Sequence, residues 1–373
     1  MQDANSKHEL ILDGHKLAWH RDRVAAWLRG EPVAPVTIDC ALTRACSYNC
    51  IYCYGKLQTN DCLAMTRDVI FRFLDDAAAI GVKAVSFVSD GESTCSPHLY
   101  DAITHGSAKG LDMALGTNGY LLREDRLEEI LPRLTYLRFN MSGGEPARYR
   151  EIMGCPPDGF ERVCGVIKKC VEIKRRRSLP VTIGIQMVLM PRIADQILPL
   201  TKLGGELGAD YFVIKHCSDD EQHTLGINYD AYYALEPVLK QAEAMSRADY
   251  LVRAKWSKIM SGGTRCYDRC YGPGMILQIS GSGLVAPCGM LFNSKYAKYH
   301  IGNIAETPFS EIFHGARYRE VLNSLADGGL DVHKNCGTLC LQHKVNEYLW
   351  HLKQGGAQPE PPDGSEPPHV NFV

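Results

Sequence analysis

Six short apolar runs, separated by stretches of helical periodicity, constrain this chain more than any other feature. They are VTIDCAL (36–42), AVSFVSD (84–90), MALGTNG (113–119), YLRFNMS (136–142), VTIGIQMVLM (181–190) and YFVIKHC (211–217). Apolar or β-branched runs of this length read as buried strands. In the clearest helix between them, Phe160, Val163, Ile167, Cys170 and Lys174 recur at three- and four-residue steps. Its apolar face includes Cys170, and the basic residues 174–177 face water. Repeated βα units predict a parallel sheet with helices outside it. Six units are too few to close a TIM barrel, so the expected fold class is α/β, a partial (β/α)6 TIM-like barrel.

At 373 residues the chain exceeds what one core serves, since single cores stop growing at roughly 250–300 residues. After residue 225 the rhythm changes. INYDAYYALEPVLKQAEAMS reads as a polar helix, and ILQISGSGLVAPC as a hairpin with SGSG at its turn. Further helices are expected near Ser310 to Leu325 and Leu339 to Leu352, and the Pro-, Gly- and acid-rich end reads as disordered. The predicted organisation is an N-terminal extension (1–35), the barrel (36–225), a linking helical segment (226–262), a small α+β module (263–353) and a disordered tail (354–373).

A formal net charge of -2 gives no global field to attract nucleic acid or an anionic membrane surface. No apolar run approaches the roughly 18–20 residues that cross a bilayer, and the polar start resembles no signal peptide, so a cytoplasmic protein is expected. In that reducing compartment fifteen cysteines point to metal ligation or catalysis before disulfides.

Cys46, Cys50 and Cys53 lie together in CSYNCIYCYG, directly after the first strand, on the side where barrel-like α/β proteins gather their active sites. Three thiolates leave one corner of a metal centre open for substrate, whereas a closed structural site needs a fourth ligand. With Tyr52, these cysteines form CxxxCx(aromatic)C, which resembles the signature of the radical S-adenosylmethionine (SAM) superfamily. The resemblance implies a [4Fe-4S] cluster on the three thiols, with SAM chelated at the open iron. It further implies reduction by a donor such as flavodoxin or ferredoxin, cleavage of SAM to a 5′-deoxyadenosyl radical, and hydrogen abstraction from substrate.

Later strand ends extend the resemblance. Asp90-Gly91-Glu92 is similar to the family's GGE motif with Asp90 replacing the first glycine, which implies that this segment receives the SAM ammonium. Thr117 and Asn118 end the third strand, and Arg138, Asn140 and Ser142 alternate along the fourth, sharing one face towards ribose or carboxylate oxygens. Residues 183–188, with Gln186 and Met187, resemble the adenine-contacting strand, where Gly184 admits a flat ring; Tyr52 is expected beside the same ring. As plain structure, Thr117-Asn118-Gly119 is a turn, and Asn140 or Ser142 satisfies buried backbone groups. Cys95, Cys155, Cys164 and Cys170 read as core or incidental thiols.

Towards the C-terminus, Cys270, Gly283 and Cys288 fit the opening of the SPASM/twitch extensions found on many radical SAM enzymes, and Cys336 with Cys340 fits their closing CxxxC. The resemblance implies one auxiliary [4Fe-4S] cluster, the twitch-like case, drawn from these four and Cys266. Cys266 is the expected surplus thiol and Cys336 the alternative. A structural zinc site would use four thiolates equally well.

An auxiliary cluster implies a sink for an electron, hence a dehydrogenase-type radical SAM oxidoreductase. The preferred substrate is small, polar and sugar- or cyclitol-like. Lys215, His216, Asp219 and Asp220 follow the sixth strand and could orient hydroxyls, with His216 or Asp219 as base. The sequence leaves three alternatives open: a redox-neutral epimerase with Cys217 as hydrogen donor, a peptide-modifying maturase, and an iron-sulfur or zinc scaffold protein.

Overall fold

The computed structural model describes residues 10–58, 63–337, 340–361 and 366–373. Its strands are β1 (Thr37–Cys40), β2 (Ala84–Phe87), β3 (Asp112–Thr117), β4 (Leu134–Asn140), β5 (Thr182–Leu189), β6 (Tyr211–His216), β7 (Leu251–Ala254), β8 (Ile276–Ile279), β9 (Leu284–Ala286) and β10 (Gly302–Asn303). All ten form one sheet in the order β10-β9-β8-β1-β2-β3-β4-β5-β6-β7. Strands β1 to β6 coincide with the six apolar runs, β3 beginning one residue and β4 two residues before its run.

Two strands revise the expected count of six. The segment read as a helical link contains β7, which pairs in parallel with β6. Its four residues alternate buried Val252 and Ala254 with half-buried Leu251 and Arg253, a pattern too short and too polar to resemble the other runs. Hairpin strand β8 pairs in parallel with β1, so the second module extends the barrel sheet. Eight neighbouring strands are therefore parallel, and the only antiparallel pairings are β8 with β9 and β9 with β10.

Period-two alternation sorts the barrel into two faces. Ile38, Val85, Phe87, Leu115, Leu137, Phe139, Ile185 and Phe212 point outward into the main apolar core. The opposite residues, including Asp39, Arg138, Gln186 and Lys215, line the interior. The helix at Gly159–Arg177 buries Val163, Ile167 and Cys170 as its periodicity requires, and its basic last turn complements the helix dipole. The helix expected over 310–325 is two helices, Phe309–His314 and Ala316–Ala326, because Gly315 is extended at φ -67, ψ 158. The last helix spans His343–Lys353.

The predicted disordered tail needs correction at 366–373. Phe372 packs with Ala84, Ala114 and Tyr136, while Thr37 Oγ1 donates to the Asn371 carbonyl at 2.6 Å. Asn371 Nδ2 donates to Asp112 at 2.8 Å, and Lys16 Nζ to the Phe372 carbonyl at 2.6 Å. Thr37, Ala84 and Asp112 begin their strands, so this segment covers the N-terminal end of the barrel. Its aromatic and amide side chains supply contacts that composition alone does not reveal. No described helix is long and apolar enough to cross a membrane.

Candidate active site

From β1 the chain passes through Thr43 and Arg44 into the three-cysteine loop. Asn49 N–H donates to the Met153 carbonyl at 3.3 Å and Ile51 N–H to the Ile152 carbonyl at 3.0 Å, fixing the loop's middle. Cys46 Sγ accepts from Tyr48 N–H at 3.5 Å and from Asn118 Nδ2 at 3.9 Å. Such donors suit a sulfur that carries negative charge. Burial pushes the Cys46 thiol up to about 12 and raises Cys50 and Cys53, so ligation must expel their protons.

The loop entry is clamped by two glycines. A Cβ on Gly91 would overlap the Thr43 carbonyl oxygen, and one on Gly281 would overlap the Thr43 carbonyl carbon. Gly281 belongs to the hairpin turn of the second module. Asp90 secures the same junction: its carboxylate accepts from Ser280 Oγ at 2.6 Å and Gly281 N–H at 3.0 Å, and lies 3.4 Å from Arg44 Nε. The Asp90 carboxylate is thus engaged by the hairpin, because a buried carboxylate needs donors, and only the backbone at this position is left to face SAM.

Glu92 joins the ends of β2 and β3. Its Oε1 accepts from Thr117 Oγ1 at 2.7 Å and Thr94 Oγ1 at 2.8 Å; Oε2 accepts from Asn118 N–H at 2.7 Å. Asn118 Nδ2 also reaches Ser47 at 3.1 Å, so Glu92, Thr117 and Asn118 sit against the cysteine loop as the motif order suggested. Gln186 Nε2 donates to Asn140 at 3.1 Å, and Ser142 Oγ accepts from Val188 N–H at 3.0 Å. Two residues expected beside the adenine are packed in the core. Met187 is buried in the outer core because it alternates with inward Gln186, and the Tyr52 hydroxyl packs 2.9 Å from Met153 Sδ. The flat ring against Gly184 belongs to Tyr211, whose atoms a Cβ there would overlap.

Inside the barrel is a cavity of about 280 Å³. Asp39, Tyr54, Arg138, Gln186, Lys215 and His216 project into it, with Lys255 and Lys258 from the turn after β7. Phe372 contributes from the tail. Burial raises Asp39 to about 6, although Arg138 and a 3.1 Å hydrogen bond from Gln278 oppose the shift. Burial lowers Lys215 to about 8, with Arg138 and Lys258 acting in the same direction. Burial also holds His216 well below its ordinary value, so it is neutral near pH 7, and its Nδ1 has no partner among the described residues.

The other catalytic candidates are placed less favourably. Cys217 Sγ lies 3.6 Å from the Tyr52 carbonyl oxygen, beside the cysteine loop, and does not line the cavity. Asp219 accepts from Asp220 N–H at 2.9 Å and Leu225 N–H at 2.9 Å, and Asp220 from Thr224 Oγ1 at 2.7 Å. Both carboxylates organise their own loop, and neither lines the cavity. Tyr54, Asp39, Gln278, Lys255 and Lys258 were not singled out from the sequence. A lone polar residue inside an apolar strand run marks Asp39 and Gln278, and the spacing in AKWSK marks the lysine pair.

In the second module Cys270, Cys288, Cys336 and Cys340 act electrostatically on one another. Asn346 Nδ2 donates to Cys340 Sγ at 3.5 Å, and the Arg265 guanidinium is near Cys336 and Cys340. Cys266 is exposed and has Glu347 and Lys344 for neighbours. Among the described residues no three His, Cys, Asp or Glu side chains are drawn in to hold a single ion, so these thiols are grouped more loosely than such a site requires. Tyr54 lies between the two groups: burial raises its hydroxyl, and Asp90, Cys53 and Cys288 also bear on it.

A partial parallel barrel with three thiols after β1 and four more in an attached hairpin module defines a class. Residues 41–200 match the radical SAM superfamily, and residues 270–341 match the SPASM iron-sulfur cluster-binding domain. The chain belongs to the radical SAM superfamily as a member with a C-terminal SPASM domain. An AdoMet-dependent heme synthase of Methanosarcina barkeri is 28% identical over 334 residues, covering 84% of this chain and 90% of that protein. A "Probable GTP 3',8-cyclase" of Pyrococcus horikoshii is 27% identical over 221 residues, covering 58% of this chain and 67% of that protein. Streptococcus suis SuiB bound to S-adenosylmethionine shares the fold with a TM-score of 0.63 at 18% identity, over 82% of this chain and 72% of SuiB. The two domains make [4Fe-4S] clusters and SAM the cofactors of this enzyme. The donor sets fit: sulfur-directed N–H groups at Cys46, and a second group of four thiols with Asn346 and Arg265 beside them.

Proposed function

We propose that this radical SAM enzyme removes hydrogen from a small polar, sugar-like substrate held inside the barrel and oxidises it. The position of Tyr54 carries the reading: it lines the cavity, follows Cys53 in the chain, and its hydroxyl stands against Gly289 beside Cys288, so one cavity-wall side chain links both thiol groups. When bound, SAM and the cluster on Cys46, Cys50 and Cys53 supply a hydrogen-abstracting radical, and a cluster on Cys270, Cys288, Cys336 and Cys340 supplies an electron acceptor. An electron donor such as flavodoxin or ferredoxin in the cytoplasm would reduce the first.

The chain's own residues do the rest. Glu92 fixes Thr117 and Asn118 against the cysteine loop and offers Oε2 to the SAM ammonium. Arg138, Gln186 and Lys215 orient substrate hydroxyls. Neutral His216, with Nδ1 unpartnered among the described residues, accepts the hydroxyl proton as the carbon is oxidised. The tail at Phe372 limits water at the far end of the barrel. The position of Cys217 outside the cavity wall counts against its serving as hydrogen donor in an epimerase.

Anaerobic reconstitution tests the proposal. About eight iron atoms per chain are expected for two cubanes, together with 5′-deoxyadenosine from SAM and reductant. A SAM-binding protein that forms none overturns the radical reading, and about four iron atoms, or tightly bound zinc, overturns the second cluster.

A further inference from the structure

The cavity wall is electrostatically lopsided. Arg138 on β4, Lys215 on β6, and Lys255 and Lys258 after β7 face it together with Lys16, whose Nζ is held by the Phe372 carbonyl, and one side-chain carboxylate, Asp39. Asp39 is already bonded to Gln278 Nε2. Arg138 Nε has no partner among the described residues, and no described residue forms a hydrogen bond or ion pair with the ammonium of Lys215 or Lys255. Lys258 Nζ donates to the Leu341 carbonyl at 3.0 Å and faces Cys340 and Cys288, whose thiolates would answer its charge once a cluster is bound, so Lys258 is set apart from Arg138, Lys215 and Lys255. Asp13, the other acid that bears on Lys255 and Lys258, lies outside the wall and is bonded to Ser257 N–H at 2.8 Å.

Buried charges without counter-charges are costly unless a ligand supplies them. This chain, with a formal net charge of -2, has no general excess of cations. Their concentration here is local. SAM brings one carboxylate and is expected at the cysteine loop, which leaves most of this charge unanswered.

Building on the proposed function, we infer that the substrate is a small polyanion, carrying at least two phosphate or carboxylate charges, received by Arg138, Lys215 and Lys255. The Arg138 fork suits a bidentate oxyanion, and the two ammonium groups suit a second one as point charges. Lys258, tied to a carbonyl and facing Cys340 and Cys288, is not part of this contact set. The uncharged remainder of the molecule would lie towards Tyr54 and His216.

Calorimetric titration of the reconstituted, SAM-bound enzyme with pyrophosphate, citrate and uncharged myo-inositol decides the matter. At least one anion should bind one site per chain, at least about tenfold tighter than myo-inositol, and weaken as salt rises. Preference for pyrophosphate identifies phosphate as the recognised group, and preference for citrate identifies carboxylate. Arg138→Gln, Lys215→Met and Lys255→Met should each weaken the anion about tenfold or more, and the two lysine variants should leave SAM affinity unchanged. Each removes one of several mutually repelling buried cations, so folding should survive, as iron content and circular dichroism will show; if one variant misfolds, the other two decide. Absence of anion binding, equal binding of myo-inositol, or affinity unmoved by the substitutions overturns the inference. Binding is read without turnover. Anion binding without 5′-deoxyadenosine formation therefore defeats only the proposed reaction, and the converse defeats only this inference.

Discussion

The two thiol groups are assembled in opposite ways. Cys46, Cys50 and Cys53 share one loop, so little chain entropy is spent in bringing them together. Cys270, Cys288, Cys336 and Cys340 meet only after a hairpin and the segment carrying the Phe309–His314 and Ala316–Ala326 helices have folded between them. The local group is nonetheless positioned by the distant one. Thr43 and Arg44, which lead into Cys46, are packed by Gly281 of the hairpin, and Asp90 ties that turn to the barrel. A loop that looks self-contained in sequence takes its placement from a module more than two hundred residues away.

Substitutions can break that coupling. The largest effect is expected from changing Cys46, Cys50 and Cys53 together to alanine: all 5′-deoxyadenosine formation should stop while about half the iron stays, because the second group needs none of them. Iron analysis showing complete loss would mean the groups cannot load separately. Gly281→Ala should come next. Its methyl group would overlap the Thr43 backbone, costing roughly 3 kcal/mol or more, and SAM affinity should fall although the change lies in the other module. Normal SAM binding in that variant would sink the clamp.

Asp90→Ala leaves the Gly281 N–H and Ser280 hydroxyl without their carboxylate, a cost of about 2–4 kcal/mol by urea denaturation, with Asp90→Asn costing less. A pH series addresses the cavity between the two groups. Lys215 in the folded chain titrates near 8, below its ordinary 10.5, so between these values the unfolded state binds the extra proton. Its contribution therefore makes the cluster-free protein more stable as pH rises through that window, by up to about 3 kcal/mol. Lys215→Met should flatten the rise, and identical profiles would show that the lysine does not titrate there. Smallest of all, Cys266→Ser should leave iron content unchanged and shift stability by no more than about 0.5 kcal/mol, as befits an exposed thiol.

Much of the fold was legible because outward strand residues such as Ile38, Phe87, Phe139 and Phe212 make apolar runs that local patterning exposes. Strand β7 was not, since LVRA is short and alternates with polar positions. Docking of the tail was hidden too, because Pro- and Gly-rich composition says nothing of where Phe372 finds a surface. Within the site, the order of Glu92, Thr117 and Asn118 on successive strand ends was readable, and the structure brings them together. Core packing of the Met187 and Tyr52 side chains was not legible, because one residue of strand register, or one side-chain direction, separates the cavity from the core.

By itself the sequence determined the initiating chemistry, through three cysteines whose spacing is local and survives in one dimension. Only the tertiary structure decided that Asp90 serves the hairpin, that Cys266 stands apart from the other four thiols, and that Arg138, Lys215, Lys255 and Lys258 surround one space. Convergence of charge from separate strands depends on sheet order and register, and those arise from contacts between residues far apart in the chain.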